Sequence, residues 1–230
     1  MLSVLTDPND FFERRMEREE RLGIPAFIVL LGGALGGVST FLIMSVLVES
    51  LSEIQAMSEV AYGAFVSVMT YGSLFSAVII SLIMWLVVAA VFYGISAIFG
   101  GKGSFKRMLE FVGYGCIPMI FGGIVAIAVT LQLVQTLTPP QIPAGASPEE
   151  LSQIIQEWSI DVARQPLSQL SSALSIIFTI WCANIWIFAV KHARGITTKN
   201  ALLTVGIPVG AYIAYALWQL LGVLVSASAL

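Results

Sequence analysis

The sequence predicts an all-α, polytopic membrane helical bundle of five transmembrane helices, with interfacial amphipathic helices beside them. Three observations carry this. Of 230 residues, 57% are hydrophobic and only 11% charged, against about 25% charged in an average soluble domain. The apolar residues fall in runs long enough to cross a bilayer, which takes about 20 helical residues. The charges are segregated as well, since ten of the eleven lysines and arginines sit in three short polar segments. A domain of this length has no polar shell large enough to cover so much apolar surface, so lipid is the expected solvent.

Residues 1–23 are expected to form a cytoplasmic amphipathic segment. Asp7 is placed to cap a helix that has Pro8 at its first position and Asp10 in its first turn. Phe11, Phe12, Met16 and Leu22 are interleaved with Arg14, Arg15, Arg18 and Arg21. That mixture predicts a helix lying in the membrane interface, apolar side down and arginines on lipid phosphates. A solvated helix with a Glu17–Arg21 pair is the simpler alternative.

The membrane domain occupies 24–230. Its first span, about 25–48, is expected to be permanent and not a cleaved signal, because the apolar run is long and lacks a small-residue cleavage site. Gly32, Gly33, Gly36 and Gly37 form two overlapping GxxxG patterns there, which let a second helix backbone approach closely where lipid supplies no hydrophobic drive. Residues 49–71 hold Glu49, Glu53 and Glu59 and no basic residue. Apolar character then runs from Val60 to Phe99, enough for an interfacial helix and one span or for two spans with a tight turn. The second span is placed at about 74–98. A short basic loop, GGKGSFKRM, leads into the third span, about 111–134, with Pro118 near its start and Gly122–Gly123 inside.

Pro139–Pro140 breaks that helix. Ser147 and Glu150 then have the spacing of a capping box, with Pro148 at the first helical position. Leu151, Ile154, Ile155, Trp158 and Val162 recur at helical spacing, which predicts an amphipathic outer-loop helix over about 148–164. The fourth and fifth spans, about 168–190 and 201–225, are joined by the basic loop KHARGITTKN.

Charge sets the orientation. Lysine and arginine favour the cytoplasmic side of short loops. With five spans, the inner side carries Arg14, Arg15, Arg18, Arg21, Lys102, Lys106, Arg107, Lys191, Arg194 and Lys199, and the outer side only Arg164. Splitting 60–99 into two spans would turn the later basic loops outward. The expected arrangement is N-terminus in and C-terminus out, in a prokaryotic plasma membrane. The ten inner basic residues are expected to meet anionic headgroups, at about 1 kcal/mol each.

The predicted spans have no Lys, Arg, Asp or Glu in their interiors. Such residues at membrane depth usually mark proton relays or ion pathways, so a proton-coupled pump is disfavoured. Metalloprotease, nucleophile-elbow and P-loop signatures are missing, and no enzyme activity, cofactor, metal or nucleic-acid partner is expected. Cys116 and Cys182 read as packing residues and His192 as a headgroup or solvent contact. Gln132 and Asn184 are expected to hydrogen-bond between helices. Glu110 is expected to pair with Lys106 and Arg107, four and three residues before it.

The stretch GGKGSFKRMLEFVGYGCIPMIFGG, residues 100–123, resembles the Yip1 domain family, in which a basic loop leads into a Gly-Tyr-containing third span. Gly113, Tyr114, Gly115 and Pro118 stand at that element. WIFAVKHARGITTKNAL, from Trp186, is similar to the family's connection between fourth and fifth spans, and the opening DPNDFF to prokaryotic members. The resemblance implies five spans with a cytosolic N-terminus. In eukaryotes it implies early secretory traffic and binding of Rab-type GTPases. The family's Asp-Leu-Tyr-Gly-Pro run is absent here, Phe92-Tyr93-Gly94 keeping a Tyr-Gly fragment, so a compact prokaryotic-type member is expected. The function expected is non-enzymatic organisation of membrane partners or lipids, through a protein partner or a second copy of the chain. The alternative is a small channel, transporter or lipid translocator.

Overall fold

The computed structural model describes residues 3–51, 59–143 and 145–228. Nine helices are formed among them and no strand: α1 (Ser3–Thr6), α2 (Pro8–Met16), α3 (Gly23–Leu51), α4 (Glu59–Ile98), α5 (Phe105–Tyr114), α6 (Ile117–Val134), α7 (Pro148–Arg164), α8 (Pro166–Arg194) and α9 (Thr198–Ser228). Five stretches are long and apolar enough to cross a membrane: Gly23–Glu49, Val66–Ile98, Phe105–Val134, Pro166–Arg194 and Thr198–Gly222. Of the acidic outer residues, Glu53 lies outside the described residues.

The ambiguity over 60–99 resolves as one long helix. Its 40 residues rise about 60 Å, so α4 crosses once and its first turns are continuous with the span. The third span is instead divided. Pro118 has no N–H to bond back to Tyr114, and α5 ends at that residue, with Gly115 as its cap. Cys116 N bonds the Gly113 carbonyl at 3.2 Å, and α6 restarts at Ile117.

The main core is gathered at one end of the bundle. It joins Val4 and Phe12 of the N-terminal helices to Ile28 and Val29 of α3, Ala89 and Phe92 of α4, Met108 to Val112 of α5, Ile185 to Ala193 of α8 and Ala201 to Val205 of α9. These are the ends that meet the three basic segments. At the opposite, acidic end a small cluster joins Leu47, Leu133, Trp158 and Val162. The acid-side halves of α4 and α9 therefore carry exposed Val68, Tyr71, Phe75, Tyr212, Tyr215, Trp218 and Leu221.

Of the two overlapping GxxxG patterns in α3, the Gly33–Gly37 pair is the one that faces α4. A Cβ at Gly33 would lie 2.7 Å from the Ser81 Cβ, and one at Gly37 3.2 Å from the Ala77 Cβ, so these two set the approach of α4. Gly36 has open space around its missing Cβ, and Gly32 has only Met119 at an ordinary 3.9 Å. Gly122 and Gly123 are close contacts as expected, facing Phe178 of α8 at 3.0 Å and the Leu35 Cβ of α3 at 2.7 Å.

Candidate functional site

The basic end is built by side chains that hold loops and termini in place. Asp7 caps α2 by accepting from Asp10 N at 3.1 Å, as the sequence implies. The apolar face of α2 then turns onto the protein and not onto lipid. Phe12 packs on Phe111 with ring centroids 4.7 Å apart, and Phe11 meets Tyr114 edge-on at 5.2 Å. The expected interfacial helix is therefore a cap on the bundle. The bundle end is itself apolar, and phenylalanine rings bury more completely there than at a headgroup boundary.

Two arginines expected on lipid are buried instead. Arg107 donates to the carbonyls of Arg15 (3.3 Å) and Arg18 (2.6 Å) and to Glu110 Oε2 at 2.9 Å. Glu110 is fully buried, and the Arg15 guanidinium pairs with its other oxygen. Its expected partner Lys106 is exposed. A lone carboxylate would be costly here, and two guanidiniums offset that cost while fixing the chain after α2.

Arg194, with 3% of its surface exposed, does the same for the second loop. It donates to the carbonyls of Gly101 and Gly103, each at 2.6 Å, and to Ser96 Oγ at 2.9 Å. Its guanidinium lies over the Tyr93 ring, 3.9 Å from the centroid. The left-handed backbone at Gly100, Gly103 and Gly195 lets both loops close this tightly. Lys191 and His192 share the Asn9 side-chain oxygen, at 2.6 and 3.0 Å. His192 is thus a link between α8 and α2, and not a headgroup contact.

Of the ten inner basic residues, Arg14, Arg18, Arg21, Lys102, Lys106 and Lys199 keep exposed side chains. Arg14 pairs with Asp10, and Arg21 with Glu19 at 3.4 Å. Arg15, Arg107, Lys191 and Arg194 are spent inside the protein: Arg107 and Arg194 each reach several loop carbonyls at once, Arg15 pairs with Glu110, and Lys191 holds Asn9.

The Gly-Tyr-Gly element has a geometric explanation. A Cβ at Gly113 would stand 3.1 Å from the Trp85 indole and 2.6 Å from the Pro25 Cβ, and one at Gly115 would overlap the Trp186 indole. The two indoles thus reach the α5 backbone from either side. Trp85 Nε1 donates to the Leu109 carbonyl and Trp186 Nε1 to the Val112 carbonyl, both at 2.9 Å. The break before Pro118 turns Cys116 N away from the Val112 carbonyl, which Trp186 takes up together with the Cys116 thiol at 3.4 Å. Tyr114, 5% exposed, is packed between these contacts and Phe11. Neither tryptophan was anticipated from sequence. A proline-broken helix beside paired glycines, together with tryptophans inside two other spans, is the signal that leads to them.

At the acidic end the capping box forms as expected, Glu150 N donating to Ser147 Oγ at 3.2 Å and Ser147 N to Glu150 Oε2 at 2.8 Å. Trp158 packs in the bundle and donates to the Thr138 carbonyl at 3.0 Å. Gln132 and Asn184, expected between helices, are exposed on the bundle surface. Cys116 and Cys182 are buried and unpaired. Among the described residues no group of His, Cys, Asp and Glu is arranged to hold a metal.

The sequence model of the Yip1 domain matches residues 2–220. An uncharacterized protein of Methanocaldococcus jannaschii is 31% identical over 129 residues, which is 56% of this chain and 86% of that one. No solved structure matches.

Proposed function

Because the chain belongs to the Yip1 domain family, an integral membrane protein family, we propose that it is a non-enzymatic organiser of membrane partners or lipids, working through its lateral surfaces. One observation carries this reading. The main core is gathered at the basic end, which leaves aromatic and aliphatic residues along the acid-side halves of α4 and α9 largely exposed. Lipid or another membrane helix is the chemistry that covers such surfaces. On the positive-inside rule the basic end, with the N-terminus, lies in the cytoplasm of a prokaryotic cell and the C-terminus outside. The exposed cations there attract anionic headgroups less than their number suggests, because Asp7, Asp10, Glu13, Glu17 and Glu19 stand among them. The absence of the Asp-Leu-Tyr-Gly-Pro run argues against a GTPase-binding role.

A second reading has its own support. An apolar groove of about 700 Å³ lies between α3 and α4, lined by Leu35, Val38, Tyr71 and Phe75. It suits an acyl chain, and so a lipid translocator. Extraction in native lipid patches followed by mass spectrometry, beside lipid and solute flux in reconstituted vesicles, separates the two. The organising role predicts a specific co-extracted protein or lipid that Phe75→Ala or Trp218→Ala releases, with no flux. Flux without a retained companion would replace it with the second reading.

A further inference from the structure

We propose that the acidic end holds a binding site for a zwitterion bearing a phosphodiester and an ammonium group, the chemistry of a zwitterionic lipid headgroup, with Arg164 as its phosphate ligand. A cavity of about 340 Å³ opens between the chain leaving α6 and the last turns of α7, with Thr136, Thr138, Trp158, Asp161, Arg164 and Gln165 on its walls. α6 ends at Val134 and α8 begins at Pro166, so the cavity sits where two spans reach the water boundary and headgroups lie.

The walls are fixed. Trp158 donates to the Thr138 carbonyl at 3.0 Å, pinning the loop against α7. The turn into α8 is held by Ser168 Oγ, which donates to the Val162 carbonyl at 2.6 Å, and by Gln169 Nε2, which donates to the Arg164 carbonyl at 3.1 Å.

What points to a ligand is Arg164 itself. Arg107 and Arg194 spend their guanidiniums on carbonyls and an acid. The Arg164 side chain is 31% exposed and donates no hydrogen bond to any described residue; its terminal nitrogens are open to the cavity and its Nε is buried without an acceptor. Asp161 is 3.6 Å away, a charge contact longer than a hydrogen bond. A buried N–H without a partner is rare in folded proteins and calls for an acceptor. A phosphate oxygen satisfies it, because guanidinium and phosphate match in a two-pronged geometry.

Charge selects among phosphates. Asp161 is the acid on the cavity wall, Glu157 lies one turn before it on α7, and Arg164 is the one cation of this end among the described residues. A simple anion is repelled by that field. A zwitterion is not, and its ammonium finds Asp161 on the cavity wall, 69% exposed and next to the guanidinium.

The test is native mass spectrometry of the full-length detergent-solubilised protein. It is titrated with phosphatidylethanolamine, with phosphatidylglycerol, and with water-soluble glycerophosphoethanolamine. Wild type is expected to hold one phosphatidylethanolamine at least about tenfold more tightly than phosphatidylglycerol. Arg164→Gln should abolish that preference, and Asp161→Asn should narrow it by admitting the anionic lipid, with both variants keeping the wild-type helical spectrum. Arg164-dependent binding of glycerophosphoethanolamine at the lipid's affinity would support the same chemistry with a free solute as its source. Weaker binding of the soluble compound would support the lipid. Equal or tighter binding of phosphatidylglycerol by wild type, or a preference that survives Arg164→Gln, would overturn the site. The lateral surfaces play no part in this measurement, so it fails or holds independently of the organising role.

Discussion

At the residue scale, this protein spends its charges on its own backbone. Glu110 lies fully buried at the head of the third span with Arg15 and Arg107 around it, and removing one partner from a buried pair typically costs about 3–5 kcal/mol. Glu110→Leu should therefore lower the thermal midpoint in detergent by several degrees and expose the N-terminal segment to protease. Lys106→Gln removes an exposed cation and should leave both unchanged. Arg194→Lys should also destabilise, by about 1–3 kcal/mol for each loop carbonyl left unpaired, because an ammonium has no planar fork to reach Gly101, Gly103 and Ser96 together. Equal midpoints for Arg194→Lys and wild type would contradict that role. The sequence shows the Arg107–Glu110 spacing plainly. It does not show that Arg15, 92 residues earlier than Arg107, closes the same cluster, because such a contact exists only once α2 has folded onto the bundle.

At the scale of the element, the glycines of α3 make a sharp contrast. The four residues Gly32, Gly33, Gly36 and Gly37 present two possible stripes, and pattern alone weights them equally. Which stripe faces α4 depends on how the helix is rotated by the contacts of Ile28 and Val29 in the core, a tertiary fact. Gly36→Ala meets open space and should be neutral or stabilising by up to about 1 kcal/mol, the propensity gain of alanine over glycine in a helix. Gly33→Ala drives a methyl into Ser81 and should destabilise by about 1–3 kcal/mol, the usual cost of overpacking. Thermal unfolding of the two variants side by side checks the assignment, and a shift of the same sign in both would refute it. The division of the third span was half legible, since Pro118 marks a break. The tryptophans that satisfy the freed backbone come from α4 and α8, too far along the chain for local pattern to connect them. Trp186→Phe keeps the ring and removes the donor, leaving the Val112 carbonyl only the Cys116 thiol at 3.4 Å, so its stability loss, about 0.5–1.5 kcal/mol, isolates the hydrogen bond from the packing.

At the scale of the whole molecule, five spans and their order were readable because hydropathy and charge act over lengths that match the bilayer. The N-terminal segment was misplaced for a physical reason. An amphipathic helix has the same composition whether its apolar face meets lipid or the end of a bundle, and only the rings of Phe111 and Tyr114 decide the matter. What results is a molecule tightly closed at its basic end and sparsely packed across the acid-side halves of α4 and α9, and the organising role rests on that asymmetry. Photo-crosslinking in intact cells tests it most directly, with a photoreactive residue at Phe75 or Trp218 and a control at Lys199 on the basic end. One reproducible protein or lipid adduct is expected from both lateral positions, with none in common with Lys199. Adducts of random membrane composition at Phe75 and Trp218, indistinguishable from those of the bulk bilayer, would contradict it.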